Sequence, residues 1–119
     1  MTIQQTQTTS FKKELYQGIH DLSTDHIYIA LYTANASLNQ DTTVYSSTNE
    51  ITDTGYTAGG QQLLSPVISS SGYTAYVTFA NASWSGALTA RCALIYNASK
   101  ANRAIAVLDF GSNKTSTTT

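Results

Sequence analysis

The sequence predicts a mainly β, all-antiparallel domain: a two-sheet sandwich, of the jelly-roll kind or another, with one short N-terminal helix. Three observations predict it. Charged residues make up 11% of the 119-residue chain, well below the usual quarter, and Ser, Thr, Asn, Gln and eight Tyr take their place. β-Branched and aromatic side chains suit a pleated surface, and the long charged helix formers are scarce. Residues 88–111 (LTARCALIYNASKANRAIAVLDFG) form two aliphatic runs around a polar loop at 97–102, the pattern of buried strands bounded by turn residues. Residues 26–33 and 73–80 alternate with the period of a strand.

The 88–111 stretch is the expected sheet centre. Folded back as a hairpin about residue 100, it sets Leu94 against Ala106, Cys92 against Leu108 and Ala90 against Phe110, each large side chain meeting a small one. The same register puts Ile95 beside Ile105 and Arg91 opposite Asp109. A cross-strand pair of opposite charge contributes roughly 0.2–1 kcal/mol and opposes a one-residue slip, which would turn every side chain over. Leu94, Cys92, Leu108, Phe110, Val77 and Phe79 are the expected core, with Arg91 and Asp109 as a structural ion pair.

The remaining elements follow in chain order. Residues 1–9 are polar and without periodicity, an expected mobile arm. Ser10 is placed to cap a helix in which Phe11, Leu15, Ile19 and Leu22 share a face, with Gly18 weakening its end. The strand at 26–33 turns Ile27, Ile29 and Leu31 to one face and Tyr28, Ala30 and Tyr32 to the other. A long polar connection follows at 35–49, with a short helix or edge strand near 43–45; a segment of this length is often a contact loop. Gly55, Gly59 and Gly60 mark backbone that needs positive φ or close approach. Pro66 makes its neighbours edge-like, and Ser71-Gly72 is a tight turn. In 73–80, Tyr73, Ala75, Val77 and Phe79 are expected inward. One domain spans 10–112, and 113–119 is a polar tail.

Composition also bounds the function. Net charge is −1 and Lys12-Lys13 is the only basic run, against the clustered cations that nucleic acid requires. The N-terminus has no signal-peptide pattern, no apolar run approaches the ~20 residues of a membrane span, and a lone Cys92 leaves no internal disulfide. Folding in a reducing cytoplasm is expected, with Cys92 a buried small hydrophobe.

No catalytic, metal or cofactor residues are expected. His20 and His26 flank one turn without a nucleophile motif, and the seven carboxylates are scattered singly. Metal-ligand spacing is absent, and the 55–60 glycines lack the Lys-Ser/Thr of a phosphate loop. The Asn-x-Ser/Thr triplets at Asn35, Asn81, Asn97 and Asn113 read as turns. Tyr45 and Tyr56, in polar surroundings, are the expected interface anchors, joined by Gly59, Gly60 and Phe11 on the flanking loop and helix.

Phe11-Lys-Lys-Glu-Leu, Gly18-Ile-His, Ile29-Ala-Leu-Tyr-Thr, Gly55-Tyr-Thr-Ala-Gly-Gly, Trp84-Ser, Thr89-Ala-Arg, Ala93-Leu-Ile-Tyr-Asn and the block from Lys100 to Ser112 together span nearly the whole chain. In these segments the sequence resembles a family of small virion proteins of tailed bacteriophages. The resemblance implies a structural role without chemistry. Similar proteins run on through a further short β segment after Asp109-Phe-Gly-Ser, whereas this sequence ends at Thr119, so an open sheet edge able to pair with another chain is expected.

A capsid cement (decoration) protein is the leading expectation. It would bind the major capsid protein or other virion proteins through one weak contact per subunit, repeated, as a homo-oligomer with a trimer favoured. Assembly would take place in the host bacterial cytoplasm, with no nucleic acid or membrane as partner. A tail, baseplate or head–tail connector component is the alternative, and a glycan-binding receptor module with exposed Tyr and Trp84 is a third.

Overall fold

The computed structural model describes residues 3–53, 55–80, 84 and 88–115. Among the described residues the chain is mainly β: seven strands and one short α-helix, arranged as a five-stranded antiparallel sheet and a separate two-stranded hairpin. In chain order these are β1 (Thr6–Gln7), α1 (Thr9–Tyr16), β2 (Ile27–Tyr32), β3 (Gln61–Leu63), β4 (Val67–Ser71), β5 (Thr74–Thr78), β6 (Thr89–Asn97) and β7 (Arg103–Thr115). The large sheet runs β1-β7-β6-β2-β3, and β4-β5 forms the hairpin.

β6 is the middle strand because both its faces are apolar. Cys92, Leu94 and Tyr96 look one way, where Ala30, Tyr32, Ala104 and Val107 join them under Ala36 and Leu38 of the following loop. The opposite face divides into two clusters. Leu31, Ile51, Leu88, Ala90 and Ala93 gather at one end, and Phe11, Ile27 and Ile105 at the other. Leu94 and Val107 are wholly buried, and burial of a side chain of this size contributes about 1.5–3 kcal/mol.

The β6–β7 register departs from the expected one. Next to the turn, Asn97 pairs with Arg103 and Tyr96 with Ala104, as a hairpin about residue 100 requires. Ile105 is then an extra residue, and beyond it Ile95 pairs with Ala106, Leu94 with Val107, Ala93 with Leu108 and Cys92 with Asp109. The bulge turns Leu108 and Phe110 away from Leu94 and Cys92, to pack half-buried with Leu31, Leu88 and Ala93. Arg91 and Asp109 still form an ion pair, made diagonally rather than straight across.

The N-terminal segment differs from a mobile arm. Ile3 bridges Leu38, β1 pairs with β7 at Val107 and Ala106, and Thr8 is fully buried. Thr8, not Ser10, caps α1: its hydroxyl accepts the Phe11 N–H at 3.2 Å. The helix ends at Tyr16, so Ile19 and Leu22 lie beyond it, and Leu15 is exposed. At the other end, residues 113–115 continue β7 rather than opening a tail.

Candidate interaction surface

Among the residues expected at an interface, the structure turns Tyr45, Tyr56, Gly59 and Gly60 inward, around Glu50. Glu50 is a buried carboxylate on the loop that returns along β2. Tyr45 donates its hydroxyl to Glu50 Oε1 at 2.5 Å, the Gly59 N–H donates to Oε2 at 2.7 Å, and the Tyr56 hydroxyl also donates to Oε2. Tyr56 in turn accepts the Leu31 N–H at 3.0 Å, satisfying a donor on the edge of β2. The Tyr96 hydroxyl closes the circuit on the Gly59 carbonyl at 2.6 Å, and the Tyr28, Tyr96 and Tyr45 rings stack in sequence.

This cluster is a structural clasp that fixes Tyr45, Glu50, Tyr56 and Gly59 to the sheet. Burial first, and donation to Glu50 second, push the Tyr45 and Tyr56 phenols well above the ordinary tyrosine range. Burial and the nearby Glu50 charge push Tyr96 up to about 12. Gly60 completes the clasp through close approach. A Cβ there would lie 1.8 Å from the Ile29 carbonyl oxygen, so no other residue fits. Phe11 is likewise buried, against Ile27 and Ile105.

A second polar cluster lies beneath α1. The Asn97 side-chain amide donates to His20 Nδ1 at 2.9 Å, which leaves the Nε2–H to donate to Glu14 at 2.8 Å. Arg103 pairs with Glu14, and Lys100 with Asp25. Both ring nitrogens of His20 are spent on buried partners, so the imidazole serves as a brace between α1 and the β6–β7 turn. Among the described residues, no three His, Cys, Asp or Glu side chains gather to hold a metal ion, and no helix is long and apolar enough to cross a membrane.

The surface that remains open is the β4–β5 hairpin. Val77 is half-buried, but Tyr73 and Ala75, expected inward, are exposed; Phe79, just past β5, is half-buried over Ile27 and Ile105. Val77 and Phe79 therefore form a thin cover over the sheet rather than a core. On the hairpin itself Val67 is 57% and Ile68 56% exposed, and Tyr73 stands at the tip. No charged residue occurs from Gln61 to Ala80. A two-stranded hairpin is marginal alone in water, and exposed strand edges are normally blunted by charge, bulges or cover. Between the hairpin and α1 runs a groove of about 540 Å³ whose lining includes Phe11, Leu15, Leu22, Ile68 and Tyr76 as well as Asp21.

Polar neighbours make the tyrosine loops look like surface in the sequence; the partner that draws them in, Glu50, carries no hydropathy signal. The hairpin does carry a sequence signal. Three successive serines in β4, Ser69 to Ser71, leave both faces of that strand with little to bury. No family model, curated protein or solved structure matches the chain.

Proposed function

We propose that this chain is a non-enzymatic structural protein of a tailed-bacteriophage virion, acting as a capsid cement that reinforces the head through many repeated weak contacts. The observation that carries the proposal is the uncharged β4–β5 hairpin, with open edges and exposed Val67, Ile68 and Tyr73 beside an apolar groove. An apolar, edge-bearing surface of this kind supports a protein that is covered in its working state. The resemblance of the residue blocks from Phe11 to Ser112 supplies the particle. The partners are the major capsid protein or other virion proteins, with copies of the chain arranged as a small cyclic oligomer, a trimer by preference.

Mass spectrometry of purified heads lacking tails tests the reading. Hundreds of copies per head are expected, and Ile68→Lys with Tyr73→Lys should remove the chain from heads while the variant remains folded. A complement of about a dozen, or recovery only with tails, would replace the cement role with a connector or tail role. Undiminished incorporation of the double variant would remove the hairpin as the contact.

A further inference from the structure

The His20 side chain is wholly buried between α1, the turn at 21–25 and the end of β6. Its protonation state is fixed through Asn97, which is itself fully buried. Two neighbours set the orientation of the Asn97 amide. Its Oδ1 accepts the Ser99 N–H at 3.0 Å, and its nitrogen donates to Asp25 Oδ2 at 2.8 Å. The second amide N–H therefore meets His20 Nδ1 at 2.9 Å, and Nδ1 has to accept. Across the ring, the Nε2–H donates to Glu14 Oε1 at 2.8 Å.

A second ring proton has no place in this arrangement. On Nδ1 it sets one N–H against another. Turning the Asn97 amide over relieves that contact but takes the acceptor from the Ser99 N–H and a donor from Asp25. The surrounding charges are already matched. Glu14 pairs with Arg103 at 2.9 Å, Asp25 pairs with Lys100 at 3.1 Å, and the exposed Asp21 carboxylate takes the Ser23 N–H and hydroxyl. The remaining neighbour is the Phe11 ring, 5.0 Å away between centroids. An imidazolium here is an unmatched cation, and burying one is costly. We infer that His20 is an acid-sensitive latch: neutral, it holds α1 against the β6–β7 turn, and protonation releases residues 3–16 from the sheet. Release bares Phe11, otherwise 2% exposed, and the edge of β7 at Ala106 and Val107 that β1 covers. The latch uses no residue of the β4–β5 hairpin and is independent of the virion reading.

A solvated imidazole takes up its proton at about pH 6.5, so a closed state that admits only the neutral ring opens about tenfold more at pH 5.5 than at pH 7.5. Hydrogen exchange of the full chain, corrected for the intrinsic pH dependence of exchange, should show that factor in residues 8–16 and none in β6. Nitrogen NMR of the same protein should place the His20 proton on Nε2 at pH 7.5 and find the imidazolium only in the opened population. His20→Gln, neutral at both pH values, should remove the response, and the NMR arm decides on the unaltered chain if that variant does not fold. The other histidine, His26, lies beside Gln62 on the β2–β3 side, so His26→Gln should keep the response whole. An imidazolium at His20 with residues 8–16 still protected, or equal protection at the two pH values, would overturn the latch. So would a response that survives His20→Gln or disappears in His26→Gln.

Discussion

The backbone N–H of Thr8 donates to the carbonyl of Ile105 at 2.9 Å, and Ile105 is the extra residue that shifts the β6–β7 register by one. The bulge and the docking of the N-terminus are thus one feature. The bulged carbonyl points out of the ladder to receive Thr8, whose hydroxyl lies 3.3 Å from the Ala104 carbonyl and also caps α1. Thr8→Val keeps the β-branched shape and the backbone donor but removes the cap. It should lower stability by about 1–2 kcal/mol, seen as a shifted urea midpoint with an unchanged slope.

The Glu50 clasp makes a second prediction. Tyr56→Phe leaves the Leu31 N–H without its acceptor and removes one donor from a buried carboxylate, so a loss of about 1–3 kcal/mol is expected. Glu50→Ala strands the Tyr45 and Tyr56 hydroxyls and the Gly59 N–H together and should cost more than either tyrosine change alone. Because these groups face inward, self-association measured by sedimentation should not change for Tyr56→Phe under conditions where the variant is folded. A change in association with no change in stability would restore these tyrosines as surface anchors.

How far the fold could be read from the sequence follows from where each instruction lies. β2 and β6 were legible because buried strands carry their signal locally, as apolar runs closed by turn residues. The register was not, because Ile105 bulges to meet Thr8, a partner far away in sequence and outside any hydropathy window. The same holds for Tyr45 and Tyr56, whose polar neighbours suggest exposure while one acid, Glu50, folds both inward. The alternation of Tyr73, Ala75, Val77 and Phe79 was real, but period alone gives two faces without saying that either is covered.

Asp25 gives the chain an acid dependence. Burial would raise its pKa, but the Asp21 N–H, the Asn97 amide and Lys100 outweigh burial and hold the carboxyl below the ordinary range. A depressed folded-state value contributes stability that is present above the unfolded pKa, about 4, and is lost as pH falls through the folded value. Denaturant unfolding between pH 5 and roughly 2 should therefore show falling stability. Asp25→Asn should flatten part of that fall while costing stability near neutrality. An identical acid profile in the variant would exclude Asp25 as a source.

The opposite end of the pH scale tests the tyrosine packing. Burial, with the Glu50 charge, raises Tyr32, Tyr45, Tyr56 and Tyr96, the last to about 12, while burial raises the Cys92 thiol to about 11. Each raised group keeps its proton longer in the folded state, so its contribution is complete below the unfolded value, about 10 for tyrosine and 8.5 for the thiol. That contribution declines as pH climbs from there through the folded value. Absorbance titration should accordingly show the four phenols ionising together with loss of structure. Below that transition, Cys92, fully buried beside Leu94, should resist a thiol reagent at pH 8 and react in urea at the rate of a free cysteine. Rapid labelling of the folded chain would mean that β6 opens locally, and would contradict its position at the centre of the sheet.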